Sequence, residues 1–269
     1  MELTAAQRAQ YDEDGFLIFP ELFSVDEVAV LRDEIVRISK VDADCIFREG
    51  ESGAAKIMFA MHETEGPTAS APFRAASRTP RALHTAQQVL GEDALYLHHS
   101  KVNMKPAIEG SVWPWHQDFG TWHLDGIAEA RLATMVVLLD DATEFSGCLY
   151  LLPGSHREGR KAAYWDESTS YKLWAVGPKA VRDMIARCPD PVPLTGKTGT
   201  AAVFHCNILH SSDQNHSDQP RWGLICCYNA RGNPCDDKAG HGSYRPLEKW
   251  DDSRLLELGK RQLQELQHV

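Results

Sequence analysis

Hydrophobic residues near the N-terminus recur at helical spacing, whereas beyond residue 93 they gather in short runs typical of strands. The helical pattern starts with a serine and a glutamate at capping-box spacing, and its members are Ser24, Glu27, Val28, Leu31, Ile35 and Ile38. It predicts helices over residues 4–40, separated by a short apolar strand at residues 15–20.

Glycine and proline mark further boundaries along the chain. Gly50 and Gly53 predict a loop before a strand at residues 56–62. A Thr-Pro pair at its start and a glycine after its end predict a helix at residues 79–90. The later pattern predicts strands at residues 95–104, 132–139, 148–152, 200–206 and 222–228, a helix within 173–186 and a final helix at 253–266.

Many short strands, with helices gathered mainly on the N-terminal side, favour a mainly β fold with flanking helices over an alternating α/β sheet. We predict a double-stranded β-helix core, a jelly roll of the cupin-like kind. Residues 1–269 are expected to form one domain, with a helical N-terminal part at 1–92, the core at 93–230 and a tail with a helix at 231–269. The sequence contains no repeat or Gly/Ser linker that would divide it.

Composition and charge narrow the range of partners. The 269 residues are 43% hydrophobic, enough for a globular core, and the formal net charge is −10. Nucleic acids and anionic membranes need clustered lysine and arginine, so neither is an expected partner. The N-terminus lacks the apolar stretch of a signal peptide and no run reaches the ~18 apolar residues of a membrane span, so we expect a cytoplasmic protein.

Cysteine usage agrees with that compartment. The seven cysteines are odd in number and include no Cys-x-x-Cys pair, a pattern typical of reduced thiols. Cys226 and Cys227 are adjacent in a predicted strand, so their side chains are expected on opposite faces.

An aromatic stretch at residues 113–123 carries the first candidate chemistry, since it places His116 and Asp118 among the indoles of Trp113, Trp115 and Trp122. In an extended strand residues i and i+2 share a face, so this pair could offer a nitrogen and a carboxylate oxygen to one metal ion. A distant second histidine would complete the 2-His-1-carboxylate triad of Fe(II) oxygenases. Taken alone, a His-x-Asp pair is more often a hydrogen-bonded surface pair.

His210 is the best candidate for the second histidine, because it follows the apolar strand at residues 200–204. An oxygenase of this type also needs a cation for the far end of a carboxylate co-substrate. Arg221 suits that role because a guanidinium grips a carboxylate through two parallel hydrogen bonds, to which the Ser212 hydroxyl can add a third. On its own, Arg221 is more readily explained as a solvated residue at the start of a strand.

Several longer motifs accompany these residues. They are Asp14-Gly15-Phe16-Leu17, Leu22-Phe23-Ser24-x-Asp26-Glu27-Val28, Arg48-Glu49-Gly50-x-Ser52-Gly53-Ala54, Leu97-His98-His99-Ser100-Lys101-Val102-Asn103-x-Lys105-Pro106, Trp115-His116-x-Asp118-Phe119-x-Thr121-Trp122-His123, Pro153-Gly154-Ser155-His156-Arg157 and Phe204-x-Cys206-Asn207-x-x-His210-x-Ser212. In order and spacing this set resembles the phytanoyl-CoA dioxygenase family of Fe(II)/2-oxoglutarate oxygenases, and most of all its ectoine hydroxylase branch. As a set the motifs are highly specific, although each alone is not.

The resemblance implies an enzyme that uses Fe(II), O2 and 2-oxoglutarate as co-substrate. It implies hydroxylation of an unactivated C–H bond in a small polar metabolite, with release of succinate and CO2, and a homodimer. The positions that match iron ligands, and hence catalytic residues, are His116, Asp118 and His210; those that hold 2-oxoglutarate are Arg221, Ser212 and Asn103; those that line the substrate pocket are Trp122 and Phe204. We expect Trp113, Trp115, Trp122 and Phe204 to form a dry aromatic wall around the substrate.

Departures from the family pattern fall on positions expected near the substrate. Ectoine enzymes have a Gln-x-Arg pair where this chain has His99-Ser100-Lys101. Ile225 replaces a phenylalanine of the family's pocket, and Met135 replaces a serine. The loop after His123 is one residue shorter. We therefore expect His99, Lys101 and Ile225 to bind a different small molecule, an amino acid or a cyclic amino-acid derivative, and these changes disfavour ectoine itself.

Three other functions fit parts of the pattern. Halogenating relatives replace the carboxylate ligand with a small residue, so Asp118 favours hydroxylation, or desaturation by the same route. A jelly-roll binding module or sensor would hold metal or a small molecule without turnover, but it has no need of Arg221 and Ser212 at this spacing. A zinc hydrolase with the same ligands needs a general base, and no glutamate lies beside them in the sequence.

Overall fold

The computed structural model describes residues 1–50, 52–236 and 246–267. In these ranges the helices are α1 (Ala5–Asp14), α2 (Val25–Ile38), α3 (Ala71–Ala76), α4 (Pro80–Leu90), α5 (Asp118–Trp122), α6 (Pro178–Ile185) and α7 (Arg254–Gln267), with 3-10 turns at His123–Asp125 and Ser155–Glu158. The strands are β1 (Phe16–Phe19), β2 (Ile46–Arg48), β3 (Ala55–Phe59), β4 (Leu95–Lys105), β5 (Trp113–His116), β6 (Leu132–Leu138), β7 (Leu149–Leu151), β8 (Ala163–Asp166), β9 (Leu173–Val176), β10 (Val192–Leu194), β11 (Ala201–His205), β12 (His210–Ser212) and β13 (Arg221–Ala230).

The strands form two antiparallel sheets and a hairpin. The major sheet has the order β1-β11-β6-β13-β4-β3-β2, the minor sheet has the order β10-β7-β12-β5, and β8 pairs with β9 in the hairpin. Most neighbours within a sheet are distant in the sequence, as in a jelly roll. The predicted fold class, mainly β with flanking helices around a double-stranded β-helix, is confirmed.

Helices cover the outer face of the major sheet. Leu31 and Ile35 of α2 and Leu83 of α4 are buried in one apolar cluster with Met135 of β6 and Leu224 of β13. The apolar residues of the helices recur at helical spacing, and those of the strands lie at alternate positions. Each element therefore has one apolar face, and these faces pack together.

The inner face of the major sheet packs against the minor sheet. Val136 of β6 and Phe204 of β11 share a second cluster with Leu151 of β7 and Leu194 of β10. Cys226 lies in the outer cluster and Cys227 in the inner one, so the prediction of opposite faces is confirmed.

Most predicted boundaries agree with the structure, and the exceptions have local causes. The Ser24 hydroxyl accepts a hydrogen bond from the Glu27 N–H, as the capping pattern predicts. Thr79 does not cap α4, because its hydroxyl donates to the Ala76 carbonyl at 3.1 Å.

The helix predicted within residues 173–186 is present, whereas α3 and α5 have no counterpart in the prediction. The helix within residues 173–186 covers only Pro178–Ile185, because Leu173–Val176 forms β9 and Gly177 separates the two elements. The six residues of α3 give too few turns for a periodic signal. In the described ranges no helix is long and apolar enough to cross a membrane.

Candidate active site

The two candidate histidines face each other across the minor sheet. His116 ends β5, His210 begins β12, and the two residues are direct register partners in the antiparallel pair. Opposed residues of an antiparallel pair project from the same face, so the two rings meet, with their centroids 4.1 Å apart. Strand pairing thus unites two residues that are distant in sequence.

Asp118 reaches the same point by a route that the sequence reasoning missed. The strand does not continue through Asp118, as an i, i+2 pair requires; β5 ends at His116 and Asp118 is the first residue of α5. The Phe119 N–H donates to the Cys206 carbonyl at 3.0 Å, which fixes this turn against the end of β11. Even so, one ligand atom from each of His116, Asp118 and His210 lies within 4.8 Å of the others.

Hydrogen bonds orient all three side chains. His116 Nδ1 lies 2.7 Å from the Pro114 carbonyl and His210 Nδ1 lies 2.9 Å from the Ile208 carbonyl. A carbonyl can only accept, so each Nδ1 carries the proton and each Nε2 keeps its lone pair for a metal. The Thr134 hydroxyl donates to Asp118 Oδ2 at 2.7 Å, and Asp118 Oδ1 lies 3.8 Å from His210 Nε2.

The protonation states also suit a metal centre. Burial and the neighbouring His210 lower the pKa of His116 to about 3, and burial lowers the pKa of His210. Burial opposes ionisation of Asp118, but His210, Lys101 and His116 outweigh it and lower the pKa of Asp118. Two neutral imidazoles and one carboxylate are the forms that bind a divalent ion, so the residues fit a 2-His-1-carboxylate centre.

The three residues open into an inner cavity with Arg221 at its other end. This inner cavity is lined by Lys101, Asn103, Trp113, His116, Asp118, Thr134, Val136, Leu149, Phe204, His210, Ser212, Arg221, Gly223 and Ile225. Arg221 is buried and donates from Nη2 to the Gly147 carbonyl. Burial lowers the pKa of Arg221 to about 10, which still leaves it cationic at neutral pH.

Two buried polar atoms of the inner cavity have no hydrogen-bond partner among the described residues. They are Arg221 Nε and Asn103 Oδ1. Buried polar groups are nearly always paired, so these atoms indicate that a polar ligand completes this end of the cavity.

An outer cavity shares Lys101, Trp113, His116 and Asp118 with the inner one. It is lined by Phe59, His99, Lys101, Trp113, His116, Asp118, Thr121, Trp122, Leu124, Asp125, Trp165, Tyr171, Lys172, Leu173 and Trp174. The His99 and Trp122 rings are 5.5 Å apart, and the Cys227 sulfur lies 3.2 Å from His99 Nε2. The Lys101 ammonium lies between the cavities, 5.4 Å from the centre of the Trp113 ring.

The residues predicted to contact substrate divide between the two cavities. Trp122 and His99 line the outer cavity, Phe204 and Ile225 the inner one, and Lys101 both.

Two predictions are wrong: the placement of Trp115 in the aromatic wall and that of Met135 near the substrate. Trp115 lies on the other face of β5, where it packs against Leu152 and Val176. Met135 points into the outer cluster, because residues alternate along β6 and its neighbours Thr134 and Val136 face the inner cavity.

Sequence reasoning also missed residues that shape the site. Thr134 was overlooked although a lone hydroxyl in an apolar strand is a signal in itself. The motif pattern gives Gln117 no role beyond spacing, yet its amide donates to the carbonyls of Asn207 at 2.7 Å and Gly159 at 3.0 Å. The aromatic residues of the β8–β9 hairpin carried no motif, and only the fold brings them over the site.

Comparison with known proteins agrees with this geometry. Residues 11–223 match the family model described as phytanoyl-CoA dioxygenase. Ectoine dioxygenase of Bordetella bronchiseptica is 34% identical over 248 residues, which cover 86% of this chain and 77% of that one. L-proline trans-4-hydroxylase of Streptomyces griseoviridis is 35% identical over 233 residues, 82% of this chain and 85% of that one. The crystal structure of EctD from S. alaskensis with 2-oxoglutarate and 5-hydroxyectoine matches with a TM-score of 0.78 at 30% identity, covering 93% of this chain and 88% of that one.

Proposed function

Because the chain belongs to the phytanoyl-CoA dioxygenase family, we propose that it hydroxylates an unactivated C–H bond of a small amino acid or cyclic amino-acid derivative. The expectation of an enzyme that requires iron, 2-oxoglutarate and O2 agrees with its relatives, which include a dioxygenase, a hydroxylase and EctD structures with bound Fe and with 2-oxoglutarate. The observation that carries the proposal is a single cavity with two imidazoles and a carboxylate at one end and a buried arginine at the other.

His116, Asp118 and His210 are the proposed iron ligands. Their Nδ1 and Oδ2 hydrogen bonds hold the free lone pairs toward one point before any metal binds. When bound, iron would activate O2, which is the oxidant; 2-oxoglutarate would supply two electrons as it is decarboxylated to succinate and CO2, and the substrate C–H bond the other two.

Arg221, Ser212 and Asn103 are the proposed co-substrate residues. Arg221 can grip the distal carboxylate of 2-oxoglutarate because its Nε is unpaired and its charge is buried, where an ion pair is strong. Val136, Leu149 and Phe204 form apolar walls that exclude water from the same space.

The outer cavity is the proposed substrate site. Lys101 and His99 offer polar contacts to a carboxylate or an amine, while Trp122 limits the size of the molecule beside them. The combination of two lysines, Lys101 and Lys172, with aromatic walls suits a compact amino acid better than an acyl-CoA.

The function is tested by incubating the iron-loaded protein with 2-oxoglutarate, O2 and a panel of amino acids, ectoine and related metabolites, and measuring succinate release. A true substrate gives a product heavier by one oxygen atom in mass spectrometry. We expect Asp118→Ala to lose turnover, and Asp183→Ala, which alters an exposed carboxylate on α6, to keep it. Absence of the visible charge-transfer band on adding 2-oxoglutarate to the iron-loaded wild type would contradict the proposal.

The remaining predictions belong to the whole protein. A single catalytic domain, a cytoplasmic location and a homodimer stay predictions of this proposal. Light scattering during size-exclusion chromatography distinguishes the dimer from the 30.0 kDa monomer.

A further inference from the structure

Gly223 is the third residue of β13, the strand at the centre of the major sheet. Its register partners are Asn103 on β4 and Leu138 on β6, so strands flank it on both sides. Glycine weakens a strand interior because it has the largest backbone entropy to lose and no side chain to pack. Its presence here therefore needs a specific cause.

The fold itself does not require a glycine at this position. A Cβ atom added to Gly223 would lie 3.7 Å from the Val137 carbonyl oxygen and 3.8 Å from Val136 Cγ1, which are ordinary van der Waals contacts, and its φ lies outside the left-handed region. Gly199 and Gly147 differ, since both have positive φ and an added Cβ would overlap the carbonyl oxygens of Phe23 and Asp213.

The inner cavity lies directly over Gly223. Arg221, Gly223 and Ile225 alternate along β13 and line this cavity together. Next on the same face is Cys227, the register partner of Thr134, whose hydroxyl holds Asp118. Along this face of β13, Gly223 thus lies between Arg221 at one end and the proposed metal ligands near Cys227 at the other. At Gly223 the cavity wall consists of backbone atoms only.

We infer that Gly223 is a specificity-determining position for the co-substrate, kept without a side chain so that a 2-oxo dicarboxylate can lie between Arg221 and the metal ligands. This inference rests on the proposed function. A methyl group here would occupy space that the co-substrate needs, while leaving the metal ligands, Arg221 and the strand pairing unchanged.

The test compares Gly223→Ala and Gly223→Val with wild type in two measurements. The first is the Kd for 2-oxoglutarate of the iron-loaded protein without O2, from the charge-transfer band; the second is the Tm of the protein without co-substrate. We expect Gly223→Ala to weaken co-substrate binding about tenfold, with a larger loss for Gly223→Val. The Tm of Gly223→Ala should stay the same or rise by about 2 °C, because alanine costs less backbone entropy.

Gly232→Ala is the matched control, because Gly232 is exposed and an added Cβ meets no atom within 4 Å. It should leave the Kd for 2-oxoglutarate unchanged. Unaltered co-substrate binding in Gly223→Ala would overturn the inference while the proposed function stands. A fall in the Tm of Gly223→Ala would also overturn it, because the glycine would then serve the fold. If the wild type binds no 2-oxoglutarate, the proposed function and this inference fall together.

Discussion

At the proposed metal site, the Thr134 hydroxyl is the hydrogen-bond donor to Asp118. Its hydrogen bond to Asp118 Oδ2 leaves Oδ1 as the oxygen nearer His210 and fixes the plane of the carboxylate. Partners of this kind around a metal typically account for about ten- to a hundredfold in metal affinity.

We therefore expect Thr134→Val to bind Fe(II) or Co(II) at least about tenfold more weakly than wild type, measured by competition with a chelator. Valine has nearly the same shape but leaves the buried Asp118 Oδ2 without this donor, so the Tm of the metal-free protein should fall by a few degrees, and the metal affinities are compared at a temperature below both transitions. Thr134→Ser keeps the hydroxyl and is the control. Equal metal affinity in the valine variant would show that the bond to Asp118 has no such role.

Lys105 is a buried amine whose contribution to stability depends on pH. Burial and the nearby Arg221 lower its pKa to about 6, and its ammonium donates to the Asp213 carbonyl. The unfolded chain has the higher pKa, so between pH 6 and pH 10 the unfolded state binds more protons and the free energy of unfolding rises with pH, by up to about 1 kcal/mol per unit.

The Lys105→Met variant lacks this titration. Urea unfolding of the metal-free proteins at pH 6.5 and pH 8.5 should therefore show wild type gaining stability relative to Lys105→Met as the pH rises. Lys179→Met, at an exposed position of α6, should show no such trend against wild type. A difference between wild type and Lys105→Met that is constant with pH would contradict the expectation.

At the scale of elements, the junction of β5 and α5 sets the direction of Asp118. Gln117 is buried at this junction, and its side chain bonds to the carbonyls of Asn207 and Gly159 and to the Lys161 N–H. These bonds tie the junction to the segments after β11 and before β8. Gln117, the middle residue of the His-x-Asp motif, thus fixes the position of the β5–α5 junction.

Gln117→Leu would leave three backbone groups without this partner, so we expect a loss of about 2–4 kcal/mol in the free energy of unfolding. Denaturant unfolding of the metal-free protein measures it. Gln214→Leu is the control, since that exposed side chain makes one bond to the Ile108 carbonyl. A loss no larger than in the control would show that the junction is held by other contacts.

At the scale of the whole molecule, the sequence predicts what depends on neighbouring residues. Ser24 with Glu27 predicts the start of α2, and the ordered motifs predict the iron and co-substrate positions before any contact is known. Register is non-local, and a shift of one residue exchanges the two faces of a strand. For that reason Met135 was assigned to the cavity that Thr134 and Val136 line, and Trp115 to a wall on the wrong face of β5.

Metal binding should stabilise the whole fold, because the proposed ligands come from separate segments that only the folded chain unites. At a free metal concentration about 100 times the Kd the expected gain is about 2.7 kcal/mol, or a rise of about 5 °C in Tm. Thermal unfolding with and without Co(II) measures it. His210→Ala should lose the shift and His216→Ala, at an exposed position, should keep it. A shift that survives His210→Ala would place the metal elsewhere.

The direct pairing of His116 with His210 has a consequence for assembly of the protein in the cell. If the minor sheet formed with β12 displaced by one residue, Ser211 would stand opposite His116 and the triad would lack a ligand. Such molecules would not take up iron and would lack its stabilisation. With His116, Asp118 and His210 as the proposed ligands, iron loading would therefore distinguish correctly paired chains from mispaired ones.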